Sequence, residues 1–164
     1  MGATLAHSTH EHHDRLAVHL DTMPAIGDMV GTSSLPELRT RIDELDSFFE
    51  DLLLPHLESA EAALYPELER KFQNRHSMGP MRREHEEIRQ LVAALSDARR
   101  RLDDGHLNTG EAVVLRRIVF RLYALMKVHL ADEELYLRAL EQGESEEQIT
   151  KLVAAMEHAG IAGS

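Results

Sequence analysis

The sequence predicts an all-α protein, an antiparallel up-and-down four-helix bundle with a short fifth helix near its C-terminal end. Three observations carry that expectation. Glycine and proline number 9 and 5 in 164 residues and fall mostly between long periodic stretches. No stretch alternates β-branched and polar residues as a half-buried strand would. Three stretches repeat apolar residues at three- and four-residue spacing over many turns, which lays one buried face along a helix.

The first helix is expected to open near Ser8 and run into the 20s, with Leu16, Leu20 and Met23 on one face. Pro24, which cannot donate a backbone hydrogen bond, should bend or interrupt it. After the linker "GTSS", Ser34 is placed to cap the second helix and Pro36 falls in its first turn. The seam of that helix reads Leu38, Ile42, Leu45, Phe49, Leu52, His56, Ala60 and Ala63, and Pro66 should stop or kink it. "QNRHSMGP" then separates it from a third helix whose seam is Met78, Met81, His85, Ile88, Val92, Leu95 and Leu102, interrupted by Arg99. The fourth helix follows "DDGHLNTG", with Asn108 or Thr109 as cap, and carries Leu115, Val119, Leu122, Met126, His129, Glu133, Tyr136 and Leu140. Residues 1–7 are expected to be disordered and 8–141 to form the bundle. A short helix is expected over 144–160, opened by Ser145 and Gln148 in capping-box spacing.

Composition narrows the function. Lys and Arg total 18 against 29 for Asp and Glu, a formal charge of −11. Such a surface repels phosphate backbones and anionic lipid, so neither nucleic acid nor membrane is an expected partner. With no cysteine there is no thiolate nucleophile, disulfide or sulfur-ligated metal. Neither a signal-peptide pattern nor a membrane-spanning apolar run is present, and a cytoplasmic location is expected.

The departure from the ordinary is 11 histidines in a chain with no tryptophan. His56, His85 and His129 each interrupt an apolar seam, and in an antiparallel bundle residue counts bring His13 and His56, and His85 and His129, to matching heights, within about one turn at roughly 1.5 Å per residue. A lone seam histidine is more often a satisfied core residue. His-x-x-x-Glu spacing alone is weak, since His7 and Glu11 already show it. Several imidazoles and the same-face Glu133 in one apolar layer are costly to bury without partners, and a cation would satisfy them together. Imidazole plus carboxylate without thiolate suits iron, manganese or zinc.

The succession "EHHDRL", "PHLESAEAALYPEL", "MRREHEEIRQL" and "VHLADEELYLRAL" resembles the hemerythrin-like (HHE cation-binding) family over roughly residues 8–141. The resemblance implies a bundle around a non-haem di-iron centre, with His13, His56, His85, His129 and Glu133 as ligands. His13 is preferred over His12 because Leu16 and Leu20 follow at the family's apolar offsets. The family's first bridging glutamate falls on Ala60. Glu61, its neighbour, lies about 100° round the helix; it stands as the substitute metal-binding carboxylate provided Pro55 or Pro66 distorts the backbone, with surface exposure as the plainer reading. His19 is a further candidate ligand, with a helix-boundary histidine as the plainer reading; Tyr65 and Tyr136, within a few turns of the site, are candidates for groups supporting the ligands or for ligands themselves, with simple core packing as the plainer reading. Two irons are expected, with one iron, manganese or zinc as alternatives. The resemblance implies a protein that binds or senses dioxygen or a related small oxidant, with peroxide as another ligand. The enzymatic alternative is peroxide decomposition or another oxidation at the same iron. Nothing in the sequence fixes an oligomeric state.

Overall fold

In the computed structural model, the backbone is described for residues 2–103, 105 and 107–142 and the side chains for 9–102, 105 and 107–141. The segment 144–160, expected as a fifth helix, lies outside the described residues. Every regular element among the described residues is helical. Helix α1 (Gly2–Leu20) begins ahead of Ser8, and the interruption expected at Pro24 falls just before it, at Asp21 and Thr22, so that Pro24 sits in the first turn of α2 (Met23–Met29).

The second rod departs from expectation in an instructive way. Helix α3 (Leu35–Phe48), a π turn over Phe49–Leu53, α4 (Leu54–Ser59), a second π turn over Ala60–Leu64 and α5 (Tyr65–Phe72) follow one another without a break. Pro66 therefore neither stops the helix nor opens an irregular segment. Each internal proline comes directly after a π turn, Pro55 after the first and Pro66 after the second. The widened turn, in which Leu54 N–H reaches Phe49 O and Tyr65 N–H reaches Ala60 O, accommodates a residue that cannot donate and whose ring crowds the preceding turn. The rod ends where Gln73 takes a left-handed conformation, φ 52°.

Each π turn inserts a residue into the helical rotation and moves the seam. The expected positions Leu52 and Ala63 are half-buried and exposed, while Leu53 and Leu64, one residue later, are buried. Helix α6 (Gly79–Asp103) keeps its anticipated seam, and Arg99, where the seam breaks, pairs with Asp43 and Asp46 on α3. Helix α7 (Thr109–Gln142) is capped by Asn108: its Oδ1 accepts from Glu111 N–H, and Glu111 Oε2 accepts from Asn108 N–H. Tyr136 is half-buried, with Leu137 taking the interior place beside it.

Helix α7 packs along α1, α2 and α6, while α3 packs on α6 and α2. The interior divides into a large cluster, running from Leu16 through Phe49 and Ile88 to Met126, and a smaller one of Ala60, Leu64, Tyr65, Leu68, Met78, Met81 and Leu137. The buried polar residues of α6 and α7 lie between members of the two clusters along the chain, while His13 and His56 border the large one. His85 stands between Met81 of the small cluster and Ile88 of the large one, and His129 and Glu133 between Met126 and Leu137.

Candidate metal centre

All the buried histidines among the described residues belong to this layer: His13, His56, His85 and His129, with Glu133 fully enclosed at 0 % exposure. Helices α1, α4, α6 and α7 each contribute one imidazole, and α7 adds the carboxylate one turn beyond its own histidine. Two groups of potential ligand atoms form, each lying within 4.8 Å of one another: His13, His56 and Glu133, and His85, His129 and Glu133. Glu133 is common to both.

Its two oxygens are not equivalent. Oε2 lies 2.8 Å from Nε2 of His13 and 3.1 Å from Nε2 of His56. Oε1 is buried and has no hydrogen-bond partner. Burial by itself would raise the carboxyl, but hydrogen bonds from His13 and His56 and the neighbouring imidazoles outweigh it and hold Glu133 ionised well below the usual carboxylate range. An orphaned oxygen on a buried carboxylate is a costly arrangement for a protein to retain, and a cation relieves it.

The second pair makes the same point from the nitrogen side. Nδ1 of His85 lies 2.8 Å from Glu61 Oε1, and Nδ1 of His129 lies 2.9 Å from Glu84 Oε2. Burial, and then the charge of His129, push His85 down to about 4, so its ring is neutral near pH 7. With the Nδ1 of each ring engaged by a carboxylate, the two Nε2 atoms are left to face each other at 3.1 Å, and that of His85 also meets the Tyr65 hydroxyl at 2.8 Å. Two lone pairs at that distance repel unless a proton or a metal ion lies between them. Carboxylates behind metal-binding imidazoles fix the tautomer and aim the other nitrogen, which is the role this geometry gives to Glu61 and Glu84.

The structure thus brings together His13, His56, His85, His129 and Glu133, and leaves Glu61 outside both groups. The backbone distortion that Glu61 required is present, in the π turn over Ala60–Leu64, but the carboxylate turns to the outer nitrogen of His85 and to Arg89 Nη1 at 3.0 Å. Hydrogen bonds from Arg89 and His85 overcome its partial burial and hold Glu61 below its ordinary range. His12 is half-buried and stacks at 6.3 Å on His56, and burial lowers its pKa. His19 is exposed and stacks on Phe48, away from both groups.

One contributor was not legible from spacing: Glu84 sits beside His85 in sequence yet serves His129 on another helix. Tyr65, a candidate supporting group or ligand from its place in the sequence, has its hydroxyl 2.8 Å from His85 Nε2 and is fully buried. Burial, and then the charge of Glu133, raise the phenol far above its ordinary range.

The donor set fits a pair of small, borderline-hard cations: four imidazole nitrogens aimed inward and a carboxylate with one oxygen to spare. Comparison with known proteins agrees as far as cation binding. Residues 4–116 match the Hemerythrin HHE cation binding domain, well over half of the chain. That match ends before His129 and Glu133, so their place in the centre rests on the geometry above. Neither a curated protein nor a solved structure matches the chain. No helix among the described residues is long and apolar enough to cross a membrane. On the family match and the helical fold together, the chain belongs to the hemerythrin HHE cation-binding domain family.

Proposed function

We propose that this chain is a non-haem di-iron protein that binds or senses dioxygen or a related small oxidant. The observation that carries the reading is Glu133, shared by two histidine pairs and holding one oxygen unpartnered. In this reading His13 and His56 would hold one ion, His85 and His129 would hold the other, and Glu133 would serve both. Two irons so placed would supply reversible electron transfer toward a small oxidant. The chain's own groups do the remainder. Glu61 and Glu84 hold the rings of His85 and His129 in one tautomer, and the apolar clusters on either side exclude water and raise the strength of each charge interaction.

The helices that carry the ligands are taken to run antiparallel, up and down, as the matched heights of the histidines require. A cytoplasmic protein with a small-molecule ligand belongs to this reading, and the negative formal charge speaks against nucleic acid and anionic membrane as partners. The test is loading with ferrous iron without oxygen, then air, then removal of air. A visible spectrum that appears and reverses supports binding. Steady oxygen evolution on adding peroxide instead identifies peroxide decomposition at the same site. No spectral change with iron bound overturns both.

A further inference from the structure

We propose that Tyr65 supplies an oxygen ligand to the ion on the His85–His129 side, in the coordination place that Ala60 leaves without a carboxylate. The inference deepens the two-ion reading above and rests on it.

The phenol oxygen lies 2.8 Å from Nε2 of His85, and that Nε2 lies 3.1 Å from Nε2 of His129. Since Nδ1 of His85 is already engaged by Glu61, Nε2 is the nitrogen left to face an ion. With metal–ligand bonds of about 2.0–2.2 Å, donor atoms at right angles round one ion sit roughly 2.8–3.1 Å apart. The two observed separations are therefore those of adjacent corners of one coordination shell. Without an ion, the phenol donates its proton to Nε2 of His85. Once that lone pair binds a cation, the fully buried phenol keeps only the Glu133 carboxylate within reach, and that carboxylate is itself turned to the ions in this reading, so coordination through oxygen is what satisfies the phenol.

The π turn explains how Tyr65 comes to this place. Five residues of regular α-helix would set Tyr65 roughly 140° round from Ala60. Across the π turn both are buried in the same cluster, so the rod places a short side chain and a phenol where one longer carboxylate would otherwise reach. On loading, the phenol O–H bond breaks, a metal–oxygen bond forms and the proton leaves to solvent, with no electron transferred. The phenolate restores the negative charge that alanine lacks. It also makes the halves unequal: the His85–His129 side then has two anionic donors, Tyr65 and the shared Glu133, while the His13–His56 side has Glu133 alone. The first is the half that favours the ferric ion.

The chain is loaded with iron, oxidised, assayed for iron content and examined by visible absorption and resonance Raman spectroscopy. The expected result is a phenolate-to-ferric charge-transfer band with enhanced tyrosinate ring modes. The band should fall at least tenfold in Tyr65→Phe while helical circular dichroism is kept. Because the chain has only 3 tyrosines, the double variant Tyr123→Phe/Tyr136→Phe provides the same assignment should Tyr65→Phe not fold: retention of the band there places it on Tyr65. Iron bound at two per chain without the band overturns the role of Tyr65 and leaves the two-ion reading standing. Persistence of the band in folded Tyr65→Phe, or its loss in the double variant, likewise overturns it. A chain that takes up no iron overturns both.

Discussion

Replacing Glu133 by glutamine separates a shared carboxylate from two independent sites. Glu133 belongs to both ligand groups, whereas His13 belongs to one. At a free metal concentration 100-fold above the dissociation constant, each filled position stabilises the fold by about 2.7 kcal/mol. Two positions give about 5 kcal/mol. For a domain of this size, a shift of about 2–4 °C accompanies each kcal/mol, so the loaded wild type should melt roughly 10–20 °C above its metal-free form. Glutamine keeps the volume but removes the negative charge and one oxygen. Even disturbing a group behind a ligand weakens metal affinity by about 10–100-fold. A 100-fold loss at both positions would leave about 0.8 kcal/mol, a shift of about 2–3 °C. His13→Gln, touching one position, should retain about 3 kcal/mol, or roughly 6–12 °C. Differential scanning calorimetry of each variant against its own metal-free form reads these shifts directly. The reasoning is refuted if Glu133→Gln keeps more than half of the wild-type shift, or if His13→Gln loses as much as Glu133→Gln.

Glu84→Gln should weaken loading of the His85–His129 side by about 10–100-fold, since it replaces the charged acceptor of His129 Nδ1–H by a weaker neutral amide oxygen; isothermal titration should show the change in one binding phase only. Metal-free protein should lose stability as pH falls from about 6.5 to about 4. Over that window the unfolded chain protonates His85 while the folded one, held down by burial, does not, and the difference amounts to a few kcal/mol in urea midpoints compared at pH 7 and pH 4. The depressed Glu133 carboxyl works in the same direction below its ordinary value, because the folded state resists protonation there as well. Ala60→Glu should destabilise the metal-free chain by more than about 1 kcal/mol, because Ala60 is buried against Leu64, Tyr65 and Leu68 and the larger side chain brings a charge into that packing; chemical denaturation checks it. Gly27→Ala should also be destabilising, since an added Cβ would lie 2.7 Å from Phe120 Cε2, and about 1–3 kcal/mol of overpacking outweighs the roughly 1 kcal/mol gained by removing a helical glycine.

The residues show why part of this centre could be read from the chain and part could not. The seams of α6 and α7 were legible because both helices are regular, so apolar spacing translates directly into one face, and His85, His129 and Glu133 fall on it. The second rod was legible from Leu38 to Phe49 and again at His56 and Ala60, but not at the positions between and beyond them. There, counting at 100° per residue fails, because two π turns each add a residue to the rotation; Leu53 and Leu64 replace Leu52 and Ala63, and Pro66 is absorbed without a break. The same insertion aims Glu61 at the outer nitrogen of His85 and carries Tyr65 inward. One local signal was present: each proline sits just after a place where the helix must widen to keep going. The pairing of Glu84 with His129 rather than with its own neighbour depends on how α6 meets α7, which no single-helix pattern contains.

The most direct check of the account is equilibrium dialysis of the untagged chain against ferrous iron in the absence of oxygen, followed by elemental analysis. Uptake saturating at two ions per chain, and collapsing in Glu133→Gln, is the expected result. Uptake below one ion per chain, or uptake indifferent to that substitution, would contradict a cation pair held around a common carboxylate.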